Sequence, residues 1–288
     1  MSVLEESPLP SASLDQLPPL RDVLSEAGIV ADKRFGQHFL LDLNLCRKIV
    51  RLAGPVDGVS VLEVGPGPGG LTRALVEAGA KVVVVEKDAR FIPLLQDLAR
   101  SAEGRLRVVE GDALDVEESS LFPVGGPDRI IANLPYNVGT PLFAKWLTGP
   151  HRFLSMTLMF QKEVAQRIVA QPGGRDYGRL AVLAQTLCQG RIVLDLPPRA
   201  FTPPPKVASA VVNLTPLEQR PPDRLLHALQ AVAQSAFGQR RKMLRSSLRA
   251  MGGEALCRSA GVDPDARAET VPVAGFLGLA QAWLDRPT

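Results

Sequence analysis

The stretch VSVLEVGPGPGGLTRALVEAG, residues 59–79, decides the fold of this protein. Its apolar beginning, residues 59–63, predicts a short buried strand. The segment 71–78 has the composition of a helix, and Gly79 follows it where a helix commonly ends. A strand that runs through a tight turn into a helix is the unit from which parallel α/β sheets are built.

The turn between this strand and this helix has the pattern G-x-G-x-x-G at Gly65, Gly67 and Gly70. Glycines at these places let a ligand approach the backbone at the carboxyl end of a parallel sheet. Sites for NAD, FAD and S-adenosylmethionine all use the pattern, and it also occurs as a strand–helix turn without a ligand. The turn alone therefore leaves the ligand open.

Further strands and helices extend the same architecture. Short apolar runs at 81–86, 106–110 and 129–132 predict strands that alternate with helices. From 142 to 187 helical stretches dominate, with a strand-like run at 156–160. These intervals predict a parallel sheet covered on both faces.

The C-terminal part has a different character. Residues 191–196 and 207–214 predict two more strands, joined by a proline-rich loop. Beyond Pro216 the pattern is helical to the end. We therefore expect a loose tail over residues 1–19, an α/β domain over 20–217 and a helical domain over 218–288.

Two acidic residues follow neighbouring strands. Glu86 ends the strand 81–86, twenty-one residues after Gly65, where a carboxylate can bind both ribose hydroxyls of an adenosine-containing cofactor. Asp112 follows the next strand, where it can accept a hydrogen bond from an adenine amino group; a helix-capping role is equally open. At this point NAD and S-adenosylmethionine remain alternatives.

The segment NLPY, residues 133–136, favours methyl transfer to an adenine amine. The N6 amine of adenine is a poor nucleophile, because its lone pair is delocalised into the ring. The side-chain oxygen of Asn133 and the carbonyl of Leu134 are suited to accept its hydrogens and direct the lone pair at a sulfonium methyl. Pro135 would fix this backbone, and Tyr136 would stack on a base turned out of its helix. Phe201, in a loop stiffened by prolines, is a second candidate for stacking, with core packing as the alternative.

These motifs, in this order, resemble the bacterial 16S ribosomal RNA adenine dimethyltransferase family from about Leu20 to at least Leu248. The matching pieces are FGQHFL (35–40), EVGPGPGGLT (63–72), VEKD (85–88), GDAL (111–114), NLPY (133–136), FTPPPKV (201–207) and FGQRRK (237–242). The resemblance implies a class I S-adenosylmethionine-dependent methyltransferase fold, Rossmann-like, with a mostly parallel seven-stranded sheet and a small C-terminal helical domain. It also implies the transfer of two methyl groups to each of two adjacent adenosines in the 3′-terminal hairpin of 16S rRNA, within the small ribosomal subunit.

The resemblance also assigns roles to individual residues. His38 and Leu40 would contact the methionine part of S-adenosylmethionine. Gly65 and Gly67 would contact the same cofactor through the backbone of the glycine turn. Glu86 would bind the ribose, Asp112 the adenine, and Asn133 both the target amine and the cofactor. The sequence departs from the family at one place, because the usual Gln-Asn-Phe-Leu is Gln-His-Phe-Leu here.

Basic residues predict where RNA binds. The net charge is +3, but the first 30 residues carry five acidic side chains and one arginine, so the remainder holds +7. A helix near residues 240–251 would bury Leu244, Leu248 and Met251 and present a positive face, although a merely solvated face is the alternative. The proposed RNA-binding residues are Lys33, Arg34, Arg240, Arg241, Lys242, Arg245 and Arg249.

Other classes of function receive less support from the sequence. The three cysteines and three histidines are scattered, so we expect buried thiols and no metal site. The acidic first residues do not form a signal peptide, and no run is long enough to cross a bilayer, so we expect a cytoplasmic monomer with no membrane partner. The alternatives are a 23S rRNA adenine methyltransferase, a DNA adenine methyltransferase, an NAD-dependent oxidoreductase and a noncatalytic ribosome-assembly factor.

Overall fold

The computed structural model describes residues 17–122, 126–239 and 241–286, without the side chain of Lys33. Most of the expected N-terminal tail, together with Arg240, therefore lies outside the described residues.

Helices and strands alternate over much of the chain. The helices are α1 (Leu20–Glu26), α2 (Leu43–Leu52), α3 (Gly70–Glu77), α4 (Ile92–Arg100), α5 (Gly139–Thr148), α6 (Lys162–Val169), α7 (Arg179–Leu187), α8 (Asp223–Gly238), α9 (Leu244–Ser247), α10 (Gly253–Ser259) and α11 (Val273–Leu284). The strands are β1 (Phe39–Leu40), β2 (Ser60–Val64), β3 (Lys81–Glu86), β4 (Leu106–Glu110), β5 (Arg129–Asn133), β6 (Ser155–Gln161), β7 (Cys188–Leu196), β8 (Phe201–Thr202) and β9 (Ser209–Pro216).

The main sheet has seven strands in the order β4-β3-β2-β5-β6-β9-β7. Strands β2, β3, β4 and β5 pair in parallel, whereas β9 runs antiparallel to both β6 and β7. The predicted mostly parallel seven-stranded sheet is therefore confirmed. A separate two-stranded sheet pairs β1 with β8.

Contacts between residues divide the chain into two compact units. Unit 1 holds the described residues up to Pro135 together with Arg199–Pro204, and unit 2 holds those of Tyr136–Pro198 and Pro205–Thr288. This division differs from the boundary near residue 217 that composition suggests. In unit 2 one hydrophobic core joins Tyr177 and Ala181 to residues of the C-terminal helices, so α7 belongs to the same compact body as α8. The domain boundary at 217 stays a prediction.

Unit 1 is built on buried parallel strands. The four valines of β3 are buried, as expected for β-branched side chains in a strand covered on both faces. Helix α2 is capped by Asp42, whose carboxylate accepts hydrogen bonds from the backbone N–H groups of Asn44 and Leu45. The core of this unit therefore lies along the valine-rich strands, and the strand ends are left for polar residues.

Unit 2 contains the antiparallel strands β6, β9 and β7 and the C-terminal helices. Its helices share a core in which the rings of Phe237 and Phe276 stack at 5.3 Å between centroids.

The three cysteines of the chain are buried and free of disulfides, as expected for Cys46, Cys188 and Cys257.

The expected helix over residues 240–251 is wrong in its extent. The described residues between α8 and α9, which are Gln239 and 241–243, are not helical. Met243 forms a β-bridge with Arg267, and α9 begins only at Leu244. The reason is that the N–H of Leu244 bonds to the carbonyl of Ala266, outside any helix. The predicted apolar face is confirmed, since Leu244, Leu248 and Met251 are all buried.

No helix of the described residues is long and apolar enough to span a membrane.

Candidate functional site

The glycine turn lies at the carboxyl end of β2. Gly65 and Gly67 have φ angles of +66° and +54°, which side-chain-bearing residues rarely adopt. A Cβ atom at Gly65 would lie 3.1 Å from the Pro135 ring, and one at Gly67 would lie 3.2 Å from the ring of Phe39. The turn therefore needs glycine both for its backbone conformation and for the close approach of its neighbours.

The ends of the parallel strands bring the predicted polar residues to one edge. Val64 pairs with Val85, so Glu86 follows at the level of Gly65. The register of β5 on β2 pairs Leu62 with Ile130, and continuing it places Asn133 at the same level. This edge of unit 1 therefore carries the glycine turn, the expected ribose-binding acid and the expected catalytic asparagine.

Glu86 is only 6 % exposed, and both of its carboxylate oxygens are oriented by backbone groups. Oε2 accepts from the N–H of Gly67 at 3.0 Å, and Oε1 accepts from the N–H of Asp88 at 2.8 Å. Burial raises the pKa of Glu86 above its usual range, although these two hydrogen bonds act the other way. The two oxygens have more lone pairs than these contacts use, so the carboxylate can still accept a hydrogen bond from a ligand.

The carboxylate of Asp112 accepts hydrogen bonds from Leu114 and Lys87. Its Oδ1 accepts from the N–H of Leu114 at 2.9 Å, and its Oδ2 accepts from Nζ of Lys87 at 2.6 Å. Bonding to Asp112 raises the pKa of Lys87, so this ion pair is present at neutral pH. The residues after Asp112 form a turn and not a helix, so its side chain caps a turn, which differs from the helix-capping alternative. The adenine-binding role of Asp112 stays a prediction.

Asn133 is the last residue of β5, and its amide orientation is fixed. Its Nδ2 donates to the carbonyl oxygen of His38 at 3.2 Å. Because a carbonyl oxygen can only accept, the amide nitrogen faces His38 and Oδ1 is the atom left to accept from a ligand. Leu134, which follows, is buried at 2 % exposure and anchors the backbone of this segment. The oxygen of Asn133 is thus available in the role that methylation of an amine requires.

The segment around His38 is fastened to the proline-rich loop. Strands β1 and β8 pair antiparallel, with Leu40 opposite Phe201, and Nδ1 of His38 lies 2.8 Å from the carbonyl oxygen of Pro203. The carbonyl requires a proton on Nδ1, so in neutral His38 the other ring nitrogen is an acceptor. Phe201 is only 3 % exposed, which is the packing role that was its alternative. Its stacking role stays a prediction.

Tyr136 is the first residue of unit 2. Its hydroxyl bonds to the Ser209 hydroxyl, and burial raises its pKa, so the phenol is neutral at physiological pH. The contact fixes one end of the ring, which suits a residue proposed to present that ring to a base.

Comparison with known proteins identifies the family. The model of the family "Ribosomal RNA adenine dimethylase" matches residues 30–284. This chain belongs to that family. A ribosomal RNA small subunit methyltransferase A of Phenylobacterium zucineum is 63% identical over 274 residues, which cover 95% of this chain and 95% of that protein.

Two solved structures are similar to this ribosomal RNA adenine dimethylase. A dimethyladenosine transferase from Plasmodium falciparum has a TM-score of 0.70 at 27% identity, covering 84% of this chain and 96% of that chain. A 23S rRNA methyltransferase has a TM-score of 0.64 at 26% identity, covering 86% of this chain and 100% of that chain. Both confirm the class I methyltransferase fold. Membership of the family overturns the alternatives of an NAD-dependent oxidoreductase and a DNA adenine methyltransferase.

The basic residues of this dimethylase occur in both units. In unit 1 Arg34 is exposed and donates to Asp32 through Nε and Nη2, at 3.0 and 2.7 Å to Oδ2. In unit 2 Lys242, Arg245 and Arg249 line a cleft of about 560 Å³.

One ion pair lowers the positive charge of that cleft. Arg245 forms an ion pair with Asp265 at 2.6 Å, so part of its charge is already neutralised. Arg241 is exposed on the segment that leads to the cleft, whereas Arg240 lies outside the described residues. Lys242 and Arg249 are therefore the described cations best placed to meet a phosphate in this cleft.

Sequence reasoning missed three residues of unit 1. Glu63 is buried at 1 % exposure and accepts from the Thr72 hydroxyl at 2.7 Å across the glycine turn. Gln37 and Arg90 both contact the carboxylate of Asp88. Gln37 and Glu63 lie within the motifs FGQHFL and EVGPGPGGLT, so their place in these motifs was the available signal. Only the fold shows which residues they contact. Arg90 carries no sequence signal of this kind.

Proposed function

We propose that this protein transfers methyl groups from S-adenosylmethionine to the N6 amines of two adjacent adenosines in the 3′-terminal hairpin of 16S rRNA. The observation that carries the proposal is the fixed amide of Asn133, whose nitrogen is bonded to the His38 carbonyl and whose oxygen is left to accept. An acceptor in a set orientation, beside a glycine turn and a buried acid, is what this reaction needs from a protein.

The residues of unit 1 fit the adenosine end of this cofactor. The two glycines occupy positions where a Cβ would press on Pro135 or Phe39, so the turn is bare backbone. Glu86 offers two oriented carboxylate oxygens for the two ribose hydroxyls. We propose that Gly65 and Gly67 line the same pocket, that Asp112 accepts from the adenine amine, and that His38 and Leu40 hold the methionine part.

The chain's own residues prepare the amine. When bound, S-adenosylmethionine supplies a methyl group on a positively charged sulfur, which then leaves as a neutral thioether. Asn133 Oδ1 and the Leu134 carbonyl accept the two amine hydrogens, which favours a tetrahedral nitrogen with its lone pair directed outward. Pro135 keeps this backbone in place, and Tyr136 holds the base by stacking, worth about 1–3 kcal/mol per base in comparable sites. Neutral amide oxygens do not retain a proton, so the proton of the methylated amine leaves to water.

The proposed partner is the small ribosomal subunit, bound through phosphates. The cleft of unit 2 presents Lys242 and Arg249, with Arg241 beside it, to a folded RNA recognised by its shape. Lys33 and Arg34 would extend the basic surface of unit 1, although Arg34 shares its charge with Asp32. We propose that the protein acts as a monomer in the cytoplasm, where small subunits are assembled.

A direct assay tests this function. The purified protein is incubated with labelled S-adenosylmethionine and small ribosomal subunits that lack adenine dimethylation. Mass spectrometry of the digested 16S rRNA then locates new methyl groups, and we expect dimethyladenosine at the adjacent pair of the 3′ hairpin. Methylation of 23S rRNA instead would place the protein with the 23S enzymes, and binding of the cofactor without any methylation would favour an assembly factor.

A further inference from the structure

The chain before β1 is fastened to unit 1 through one buried carboxylate. Nε2 of Gln37 donates to Oδ2 of Asp88 at 2.7 Å, and Asp88 is only 4 % exposed. The other end of the same amide is also used, since Oε1 of Gln37 accepts from the N–H of Asp32 at 2.9 Å. The Gln37 side chain therefore links the segment 32–38 to the loop that follows β3.

Arg90 also connects this segment to Asp88. Its Nε donates to Oδ1 of Asp88 at 2.9 Å and its Nη2 to Oδ2 at 2.6 Å, which is a two-pronged ion pair. Its Nη1 donates to the carbonyl of Val30 at 3.0 Å, and Nη2 also reaches Oε1 of Gln37 at 3.4 Å. Hydrogen bonding to Arg90 holds the pKa of Asp88 below its usual range, so the carboxylate is ionised throughout the neutral range.

The loop that carries Asp88 is in turn bonded to the proposed ribose-binding acid. The backbone N–H of Asp88 donates to Glu86, and the other oxygen of Glu86 accepts from Gly67 of the glycine turn. A displacement of Glu86 would therefore move the backbone of Asp88, whose side chain accepts a hydrogen bond from Gln37.

The residue after Gln37 contacts the proposed catalytic asparagine. The carbonyl of His38, the next residue along the chain, accepts from Nδ2 of Asn133 at 3.2 Å. The His38 carbonyl belongs to the next peptide unit, so only the φ and ψ angles of His38 separate it from the peptide that Gln37 begins. The contact of the His38 ring with Pro203 and the pairing of Phe39 with Thr202 restrain His38 on its other side. Fixing the Gln37 side chain therefore restricts the position of the His38 carbonyl. Hydrogen bonds and covalent links thus run without a gap from Gly67 through Glu86, Asp88 and Gln37 to Asn133.

We propose that Gln37 is a positioning residue that couples occupation of the cofactor pocket at Glu86 to the orientation of the Asn133 amide. The proposal rests on the proposed function, because it takes the roles of Glu86 and Asn133 from it. In this arrangement Gln37 touches neither ligand; it acts through Asp88 on one side and through the His38 carbonyl on the other. Binding of the cofactor then tightens the segment 32–38 and sets the acceptor for the target amine.

The test compares Gln37→Met, which removes the side-chain hydrogen bonds with Asp88, Asp32 and Arg90 at nearly constant length, with Gln96→Met as a matched control. Gln96 is exposed on α4. Hydrogen exchange of the backbone over residues 30–38 is measured with and without S-adenosylhomocysteine, and kcat and KM for the methyl donor are measured with subunits as the second substrate. In the wild type and in Gln96→Met we expect the ligand to slow exchange of this segment. In Gln37→Met we expect that protection to be lost and kcat at saturating donor to fall by about tenfold to 100-fold.

A second pair of variants separates positioning from simple loss of stability. Gln37→Glu places a carboxylate against Asp88, and we expect it to be at least as impaired as Gln37→Met. Adding Asp88→Asn places an amide donor at position 88 opposite the carboxylate at position 37, and that carboxylate is also available to Arg90. Asparagine is as suited as aspartate to begin the short turn that follows. We expect the double variant to recover both kcat and ligand-dependent protection.

The outcomes distinguish this proposal from the function on which it rests. If Gln37→Met matches Gln96→Met in kcat and in protection, or if the double variant recovers thermal stability but not kcat, the positioning role is overturned. If the wild type neither binds the ligand nor methylates subunits, the proposed function itself fails, and that result is seen before any variant is made.

Discussion

Asn133 illustrates what a single residue needs from its surroundings in this protein. The residue type marks it as an acceptor, but an amide can present either its oxygen or its nitrogen. The His38 carbonyl settles the choice, because it accepts from Nδ2 and leaves Oδ1 for the substrate. The sequence identified the residue, and a partner ninety-five positions away oriented it.

Replacing Asn133 tests its role at the amine. We expect Asn133→Ala to abolish methyl transfer, because the oriented acceptor is gone, while cofactor affinity stays within about tenfold, or about 1.4 kcal/mol. The measurements are label transfer to small subunits and calorimetry with S-adenosylmethionine. Asn44→Ala, at an exposed position in the first turn of α2, is the control. Substantial turnover in Asn133→Ala would contradict the role we assign to this residue.

Glu63 is a buried acid that the motif contains but whose state only the fold determines. Burial raises the pKa of Glu63 to about 8, and the Thr72 hydroxyl only partly opposes this. The folded protein therefore keeps a proton that the unfolded chain, in which the carboxyl has its ordinary pKa of 4.5, has already released at neutral pH. Stability conferred by this proton is lost as the pH rises from the unfolded pKa to the folded one.

Replacing Glu63 by glutamine should remove this pH dependence. We expect the free energy of unfolding of the wild type to fall, through this group, by at most about 1.4 kcal/mol per pH unit between about pH 5 and pH 8. Glu63→Gln keeps an acceptor for Thr72 and cannot ionise, so its stability relative to the wild type should increase across that range. Thermal melts of both proteins at several pH values measure the difference, and a difference that does not change with pH would refute the raised pKa.

At the scale of elements, the basic segment shows where periodicity misleads. The spacing of Leu244, Leu248 and Met251 is helical, and all three are buried as that spacing predicts. The chain nevertheless enters α9 only after a β-bridge between Met243 and Arg267, and the turn Arg249–Met251 is a 3-10 helix. A face can be predicted from spacing, whereas the beginning and end of the helix depend on hydrogen bonds to residues distant in sequence.

The cations of this segment should contribute unequally to RNA binding. We expect Lys242→Ala and Arg249→Ala each to weaken binding to small subunits and to reduce the slope of log affinity against log salt by about 1. Arg245→Ala should have a smaller effect, because Asp265 already neutralises part of that charge. Binding titrations over a range of salt concentrations measure the slope. Arg224, an exposed cation of α8 that does not line the cleft, gives the control variant Arg224→Ala. Equal effects of all four substitutions would contradict a specific phosphate surface.

At the scale of the whole molecule, the C-terminal helices are held by one aromatic core. Phe276 of α11 is fully buried, and its ring stacks on Phe237 of α8. We expect Phe276→Ala to lower the free energy of unfolding by about 3–5 kcal/mol, because it leaves a cavity in a packed core. Urea unfolding measures the loss, and Gln281→Ala on the exposed side of the same helix should change stability by no more than about 0.5 kcal/mol. Similar losses in both variants would show that the cavity is not the cause.

Much of the fold was accessible from local pattern. Strands β3 and β4 have the expected bounds, β2 is shifted by one residue, and β5 is one residue longer than expected. Valine-rich runs and glycine turns act over a few residues, which is why they can be read locally. Helix α4 was missed, although it is amphipathic and has Pro93 in its first turn. The grouping of α7 with the C-terminal helices was also missed, because composition does not record which apolar faces meet.

The sequence by itself determined the kind of fold, the family and the residues at the strand ends, because each of these is encoded in short segments whose chemistry is local. Only the tertiary structure decided the orientation of the Asn133 amide, the raised pKa of Glu63, the ion pair of Asp112 with Lys87 and the burial of Phe201. Those properties arise from hydrogen bonds, ion pairs and exclusion of water between residues far apart in the chain. Such contacts depend on how the elements pack, and packing is not a property of any one segment.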